Sequence, residues 1–394
     1  MNENITKPTP LGLRKSFGFG DRTGLATPGH VAAARKFDFA SIFAQQSIRE
    51  MERTQRTPQE VMQAAQTALA EVGWKQPWGA DADHLKLPEH VDYTAAAGFC
   101  FFTIDPSAHV GKGTLTSELE SLYTGKKFDV PGVATAQFDR ASLQRAVVKY
   151  GAALEHIAMM GRHIAKTMGA RPFEIEISVD ETNEPTSVLE HLFIAMELKR
   201  HKVPNVVSVA LRFIGDFEKG IDYKGDVKKF EKALVQHAAI SKHCGPYKIS
   251  VHSGSDKFEV YPIFGRVCGD LLHVKTAGTS YLEALRVVAR KDTKLFVEII
   301  EFCRGRFGID RESYHISTTS AQVASLPPYA GSRDEDVYLD KVAGRQLLHV
   351  TFGSVLTDAR FKPRILDVLR KNAELHSELL ERHLTKHLSL LSKG

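Results

Sequence analysis

The sequence predicts an α/β chain of the (β/α)8 barrel type, and two observations carry that expectation. The first is a recurring short β-type run in which apolar positions alternate with charged or imidazole side chains. The runs are FCFFTID with Asp105, FEIEISVD with Glu176 and Asp180, VVSVALRF with Arg212, YKISVHSGSD with His252, LLHVKTAGTS with His273 and Lys275, YHISTT with His315 and LLHVTFGS with His349. Side chains on a strand alternate faces, so each run has one greasy face and one face that gathers ionisable groups. The second observation is that helical segments separate the runs, which favours a parallel sheet with right-handed crossovers. The greasy faces then lie under the helices, and the ionisable faces meet at one centre, where the strand ends of a barrel enzyme carry its chemistry.

The elements follow in order. Residues 1–15 read as a short lead-in, and SFGFGD as strand one, which brings the strand count to eight. The loop GLATPGH leads into the helical VAAARKF. TPQE (57–60) is a helix start, with Thr as cap, Pro at the first position and Glu three residues after the cap; that helix stops at Gly73. Residues 74–93 read as loop, with FCFFTID as strand two. Long amphipathic segments over 139–168, TSVLEHLFIAMELKRH and DVKKFEKALVQHAAISKH lead to strands three, four and five. YLEALRVVARKDTKLFVEIIEFCRGRFG joins strand six to YHISTT as strand seven, LLHVTFGS is strand eight, and residues 361–390 close the chain as a helix. The whole of 1–394 is expected to form one catalytic domain. LLHVKTAGTS and LLHVTFGSVL share Leu-Leu-His-Val, which suggests two barrel strands built to one plan.

Composition narrows the function. Of 394 residues 43% are apolar and 25% charged, ordinary for a globular protein with a full core. The net charge of +5, from 52 basic and 47 acidic residues, is spread along the chain without a basic run interleaved with aromatics, which argues against nucleic acid. Cys100, Cys244, Cys268 and Cys303 form no CxxC pair, so zinc-ribbon and disulfide frameworks fail and a reducing cytoplasm is the simplest setting. The start MNENITKPTPLGLRK has no apolar stretch of signal-peptide length, and no run approaches the ~20 apolar residues that span a bilayer. A soluble cytoplasmic protein with no membrane partner is expected; homo-oligomerisation is left open.

His252 precedes Ser253-Gly254-Ser255-Asp256-Lys257, a turn in which glycine permits close backbone approach while hydroxyls and N–H groups hold an anion. His273 and Lys275 share parity, about 6–7 Å apart by strand rise. Glu176, Asp180 and Arg212 could each be half of a structural ion pair, yet a barrel interior without function is filled with Val, Ile and Leu. Glutamate and several imidazoles on inward positions suit a divalent transition metal, with Zn, Mn, Co, Ni and Fe all compatible. His156, His163, His191, His201 and His237 fall on helices and read as packing or solvated groups. GFGDRTG has glycines at 18, 20 and 24, one residue off a dinucleotide fingerprint, so a nucleotide site is a weak reading.

Four motifs, GDRTGLATPGH (20–30), HSGSDKF (252–258), HVKTAGTSYLEALR (273–286) and RQLLHVTFGSVL (345–356), run in order along nearly the whole chain. Through them the sequence resembles the tagaturonate/fructuronate epimerase family of hexuronate catabolism. The resemblance implies metal-dependent interconversion of D-tagaturonate and D-fructuronate, with some related members acting on tagatose and fructose. It implies a keto-uronate or ketose as the small-molecule partner, held in a site assigned as follows. Glu176, His252 and His273 form the metal shell. Lys275 and Asp180, with Asp105 in reserve, are the acid/base pair. Arg22, Arg212, Ser253, Ser255, His315 and His349 hold the substrate, and either of these histidines could replace one in the metal shell. Asp21 and His30 line the site or scaffold it. The alternatives are a class II-type metal-dependent aldolase, a non-catalytic sugar-acid binding protein and a nicotinamide oxidoreductase.

Overall fold

In the computed structural model, which describes residues 7–133, 136–331 and 334–393, eight parallel strands close a barrel in sequence order. They are β1 (Ser16–Gly20), β2 (Ala40–Ser47), β3 (Trp78–Leu85), β4 (Phe101–Ile104), β5 (Glu174–Val179), β6 (Val206–Leu211), β7 (Lys248–Val251) and β8 (Leu272–Thr276), with β8 bonded back to β1. The expected barrel and strand number hold, but two of the eight strands are elsewhere. ASIFAQQS is β2, and WGADADHL, inside the stretch read as loop, is β3. YHISTT is irregular chain, and LLHVTFGS belongs to the helices Val342–Val350 and Phe352–Thr357. The shared Leu-Leu-His-Val is therefore coincidental: one copy is strand and the other helix.

The reason is side-chain size and context. The outward face of β3 is built from Ala80, Ala82 and Leu85, so its period-2 signal is faint, although all three are fully buried. LLHV is short and apolar, and periodicity cannot tell a buried strand of that length from a buried helix turn. Its apolar partners decide: Leu347, Leu348 and Val350 pack among Tyr281, Phe296, Ile299 and Phe352 in a second, all-helical core beside the barrel. The predicted closing helix is two, Lys362–Lys371 and Ala373–Leu391, broken at Asn372. Thr57 and Glu60 form the expected capping box of Pro58–Glu71.

Parity inside the barrel follows the sequence expectation. Ile175, Ile177 and Val179 are buried in the main apolar core, while Glu174 and Glu176 alternate with them. The register pairs Phe101 with Glu174, Thr103 with Glu176, Ser16 with His273 and Gly18 with Lys275. At the N-terminal end the lead-in plugs the barrel: Glu174 Oε2 accepts from the backbone N–H of Leu11 at 3.0 Å and Gly12 at 2.7 Å. The mouth at the C-terminal ends of the strands is thereby the open end. Among the described residues no helix is long and apolar enough to cross a membrane, and all four cysteines are buried and free.

Candidate active site

Lys275 rises from β8 into the middle of the barrel, where its ammonium meets Asp81 at 2.7 Å, Asp83 at 2.8 Å, Glu176 at 2.7 Å and the Thr103 hydroxyl at 2.6 Å. Burial opposes its charge, but Asp81, Asp83 and Glu176 outweigh burial and hold its pKa well above the ordinary lysine range. One cation cannot keep three enclosed carboxylates ionised. Burial raises the Asp81 carboxyl despite Lys275, and the charges of Asp83 and Glu176 raise it further.

Above this floor the β7 run ends at His252. Its Nε2 lies 2.6 Å from Glu176 Oε1 and its Nδ1 3.3 Å from Asp180 Oδ1. Burial again opposes the charge, but Asp180 and Glu176 outweigh it and bring the imidazole up to about 10. Ser178 donates to Asp180 at 2.7 Å, fixing the carboxylate at the end of β5. The turn after His252 needs its glycine: a Cβ on Gly254 would sit 2.7 Å from Val274 Cγ1 and 2.8 Å from Lys275 O. The close approach is thus to β8, and Gly254 N–H donates to Lys275 O at 3.0 Å.

Sequence reasoning missed the β3 contributors. Asp81 and Asp83 share the inward parity, and His84, at φ 56°, follows in the left-handed region. Its Nδ1 lies 3.1 Å from Asp105 Oδ2, and its ring faces His252 at 5.1 Å between centroids. Asp105 therefore backs His84 and, unlike His84, does not line the cavity. The signal that could have found this strand is Asp-Ala-Asp between Ala80 and Leu85: two carboxylates at strand spacing.

The cavity at the mouth has a volume of about 520 Å³ and is lined by Asp83, His84, Asp180, His252 and Lys275 on the barrel side. Arg22, Arg49, Lys219, Ser253 and Ser255 line it as well, and His349 reaches it from the helical layer. Both ring nitrogens of His349 are buried without a hydrogen-bond partner, and Gly278 leaves the space its ring fills. Arg22 pairs with Glu50 at 2.7 Å and lies 3.6 Å over the Phe352 ring.

Other assignments change. His273 shares the parity of Lys275 but lies one layer deeper, with Nδ1 2.9 Å from Ser16 Oγ, so it does not join the His252 group. Arg212 lines the cavity, as expected, and its guanidinium also braces its own loop, donating to Phe213 O at 3.1 Å and Gly215 O at 2.7 Å and lying 3.3 Å from Asp216. His315 is not on a strand; it lies at the rim, its side chain 77% exposed and 3.2 Å from Asp216. Asp21 is scaffold: its carboxylate accepts from the N–H groups of Thr23, Gly24 and Ala26. Those are the donors a bound phosphate would need, which removes the dinucleotide reading of GFGDRTG. His30 is fully buried, 2.9 Å from Ser280 Oγ.

Asp83, Glu176 and His252 each offer a ligand atom within 4.8 Å of the others, and all three are buried. Two carboxylates and an imidazole suit a divalent first-row metal. Asp256, His383 and His387 also cluster, but Arg345 pairs with Asp256 at 2.7 Å. His387 accepts from Asp256 N–H and donates to His383 O, and none of these three residues lines the cavity.

The chain is similar to known proteins over nearly its whole length. The family model described as UxaE, tagaturonate epimerase, matches residues 2–391. A tagaturonate/fructuronate epimerase of Thermotoga maritima is 44% identical over 402 aligned positions, covering 98% of this chain and 82% of that protein. The native crystal structure of the fructuronate-tagaturonate epimerase UxaE from Cohnella laeviribosi superposes with a TM-score of 0.92 at 36% identity, covering 98% of this chain and 83% of that one. A glycerol complex of the same Cohnella protein gives 0.91. By the family model that matches nearly all of it and the 44% identical relative, the chain belongs to the tagaturonate epimerase family.

Proposed function

We propose that this enzyme interconverts D-tagaturonate and D-fructuronate by breaking and remaking the C3–C4 bond, counting from the hydroxymethyl end. The two sugars differ at C4, a carbon β to both the C2 ketone and the C6 carboxylate, so its C–H bond is activated by neither. In the retro-aldol direction the C4 hydroxyl loses its proton and its O–H electron pair becomes the new carbonyl. The C3–C4 pair then moves onto the C2–C3 fragment as an enediolate. The aldehyde turns over within the cavity, the bond re-forms on its other face, and the proton returns to the C4 oxygen. No net redox change occurs.

The observation that carries this reading is the concentration of Asp83, Glu176, His252 and Lys275 beneath a cavity large enough for a six-carbon acid. When bound at Asp83, Glu176 and His252, a divalent transition metal supplies positive charge for the ketone oxygen. Asp180, which lines the cavity with its side chain 21% exposed, takes and returns the C4 hydroxyl proton in this reading. Lys275, held by three carboxylates, supplies fixed positive charge next to the reacting oxygens. Family membership and the identity to the Thermotoga protein support the substrate pair.

The test is conversion of D-tagaturonate by metal-stripped protein with and without added Mn, Co, Ni or Zn, followed by NMR of the sugars. Metal-restored formation of D-fructuronate is the expected result. Release of the three-carbon aldehyde, trapped by a coupled dehydrogenase, would assign an aldolase instead. Full activity without metal would remove the metal from the site.

A further inference from the structure

Besides the Lys275 floor, the cavity is lined by three further cations, Arg22, Arg49 and Lys219, whose donors are only partly satisfied. Lys219 touches only the Ser253 hydroxyl, at 2.5 Å, and has no carboxylate within ion-pair distance among the described residues. Arg22 is tied to Glu50 through Nε and one terminal nitrogen, but its Nη1 is buried without a partner. Arg49 makes no ion pair among the described residues and only approaches the Tyr314 ring at 5.7 Å. Burial and the nearby Arg49 charge both lower the Lys219 pKa, against weaker opposing pulls from Glu181, Glu50 and Asp180. His349, which lines the same cavity, is buried with both ring nitrogens unpartnered.

A half-buried ammonium with one hydroxyl partner and no carboxylate, and a buried guanidinium nitrogen with no partner, are costly unless a ligand completes them. The group that completes them is an anion with several acceptor oxygens, and Arg and Lys together suit a carboxylate. Position supports the match. Ser253, which receives the Lys219 hydrogen bond, follows His252 directly, one residue step of ~3.8 Å between Cα atoms. Lys219, Ser253 and His252 line the same cavity, so one ligand in it can meet the His252 group with its carbonyl end and Lys219 with its carboxylate. We infer that Lys219, with Arg22 beside it, binds the substrate carboxylate and sets selectivity for keto-uronates over neutral ketohexoses. This inference rests on the keto-uronate reading of the site and adds Lys219 to the substrate-holding residues, among which the sequence had placed Arg22 and Arg212.

The experiment compares binding, by calorimetry, of an equilibrated tagaturonate/fructuronate mixture with binding of D-tagatose, for wild type, Lys219→Met and Lys219→Arg. Wild type is expected to prefer the uronates by at least tenfold. Lys219→Met should weaken uronate binding roughly 10- to 100-fold and leave tagatose within about twofold. Lys219→Arg should keep most of the preference, which separates lost charge from lost structure. An unchanged preference in Lys219→Met, or equal weakening for both sugars, would overturn the inference and leave Lys219 as a prop for Ser253. Because the readout is binding, absence of turnover in wild type would count against the epimerase reading and leave this comparison decisive.

Discussion

Lys275 Nζ and Glu176 Oε1 stand 2.7 Å apart inside the barrel, and the same oxygen lies 2.6 Å from His252 Nε2. A single carboxylate oxygen thus joins the fixed cation of the floor to the imidazole of the mouth. Both neighbours are remote from Glu176 in sequence, Lys275 on β8 and His252 directly after β7, so the site exists only when β5, β7 and β8 are in register.

Removing the floor cation should expose how much it supports. Lys275→Met leaves Asp81, Asp83 and Glu176 enclosed without their shared partner. Breaking a buried ion pair from one side costs about 3–5 kcal/mol. Urea denaturation at neutral pH should show a loss of that size, partly recovered on adding Mn, because a dication can neutralise the same carboxylates. An unaltered midpoint would mean that the three carboxyl groups do not depend on Lys275.

Arg212→Ala should affect uronate and neutral ketose alike. Its guanidinium is engaged by Phe213 O, Gly215 O and Asp216, so truncation loosens the loop at the cavity rim and leaves the carboxylate contacts intact. Steady-state kinetics on both substrates should give the same fractional loss of kcat/KM. A selective rise in KM for the uronate would assign Arg212 to the substrate carboxylate.

Acid should weaken the fold through a buried histidine pair outside the site. His191 Nδ1 lies 3.1 Å from His237 Nδ1, and Tyr247 OH lies 2.8 Å from His191 Nε2. Burial lowers His237 to about 4; burial and His237 take His191 well below the ordinary value. The unfolded chain protonates these rings first, near pH 6.5, so stability is full above that pH and falls as pH drops toward 4. The His237 share is on the order of 3 kcal/mol at pH 4, from 1.36 kcal/mol per pH unit. Equilibrium unfolding between pH 4 and 7 should show a shallower slope for His237→Gln than for wild type; equal slopes would clear His237.

The period-2 pattern by itself determined the barrel class and the inward parity of Asp105, Glu176, Asp180, His252, His273 and Lys275. Both follow from the alternation of side chains along a strand, which is a local property. Depth was not legible: His273 and Lys275 share a face, but only the register of β8 with β1 places one against Ser16 and the other among three carboxylates. Nor was the strand character of ASIFAQQS and WGADADHL, whose small or polar residues give a weak apolar rhythm and become buried only between neighbouring strands. His349 and Lys219 come to the cavity from a helix and a loop, where no short-range pattern marks a direction. Their place is decided by the packing of the helical core on the barrel and by the turn at Ser253, contacts between segments far apart in the chain.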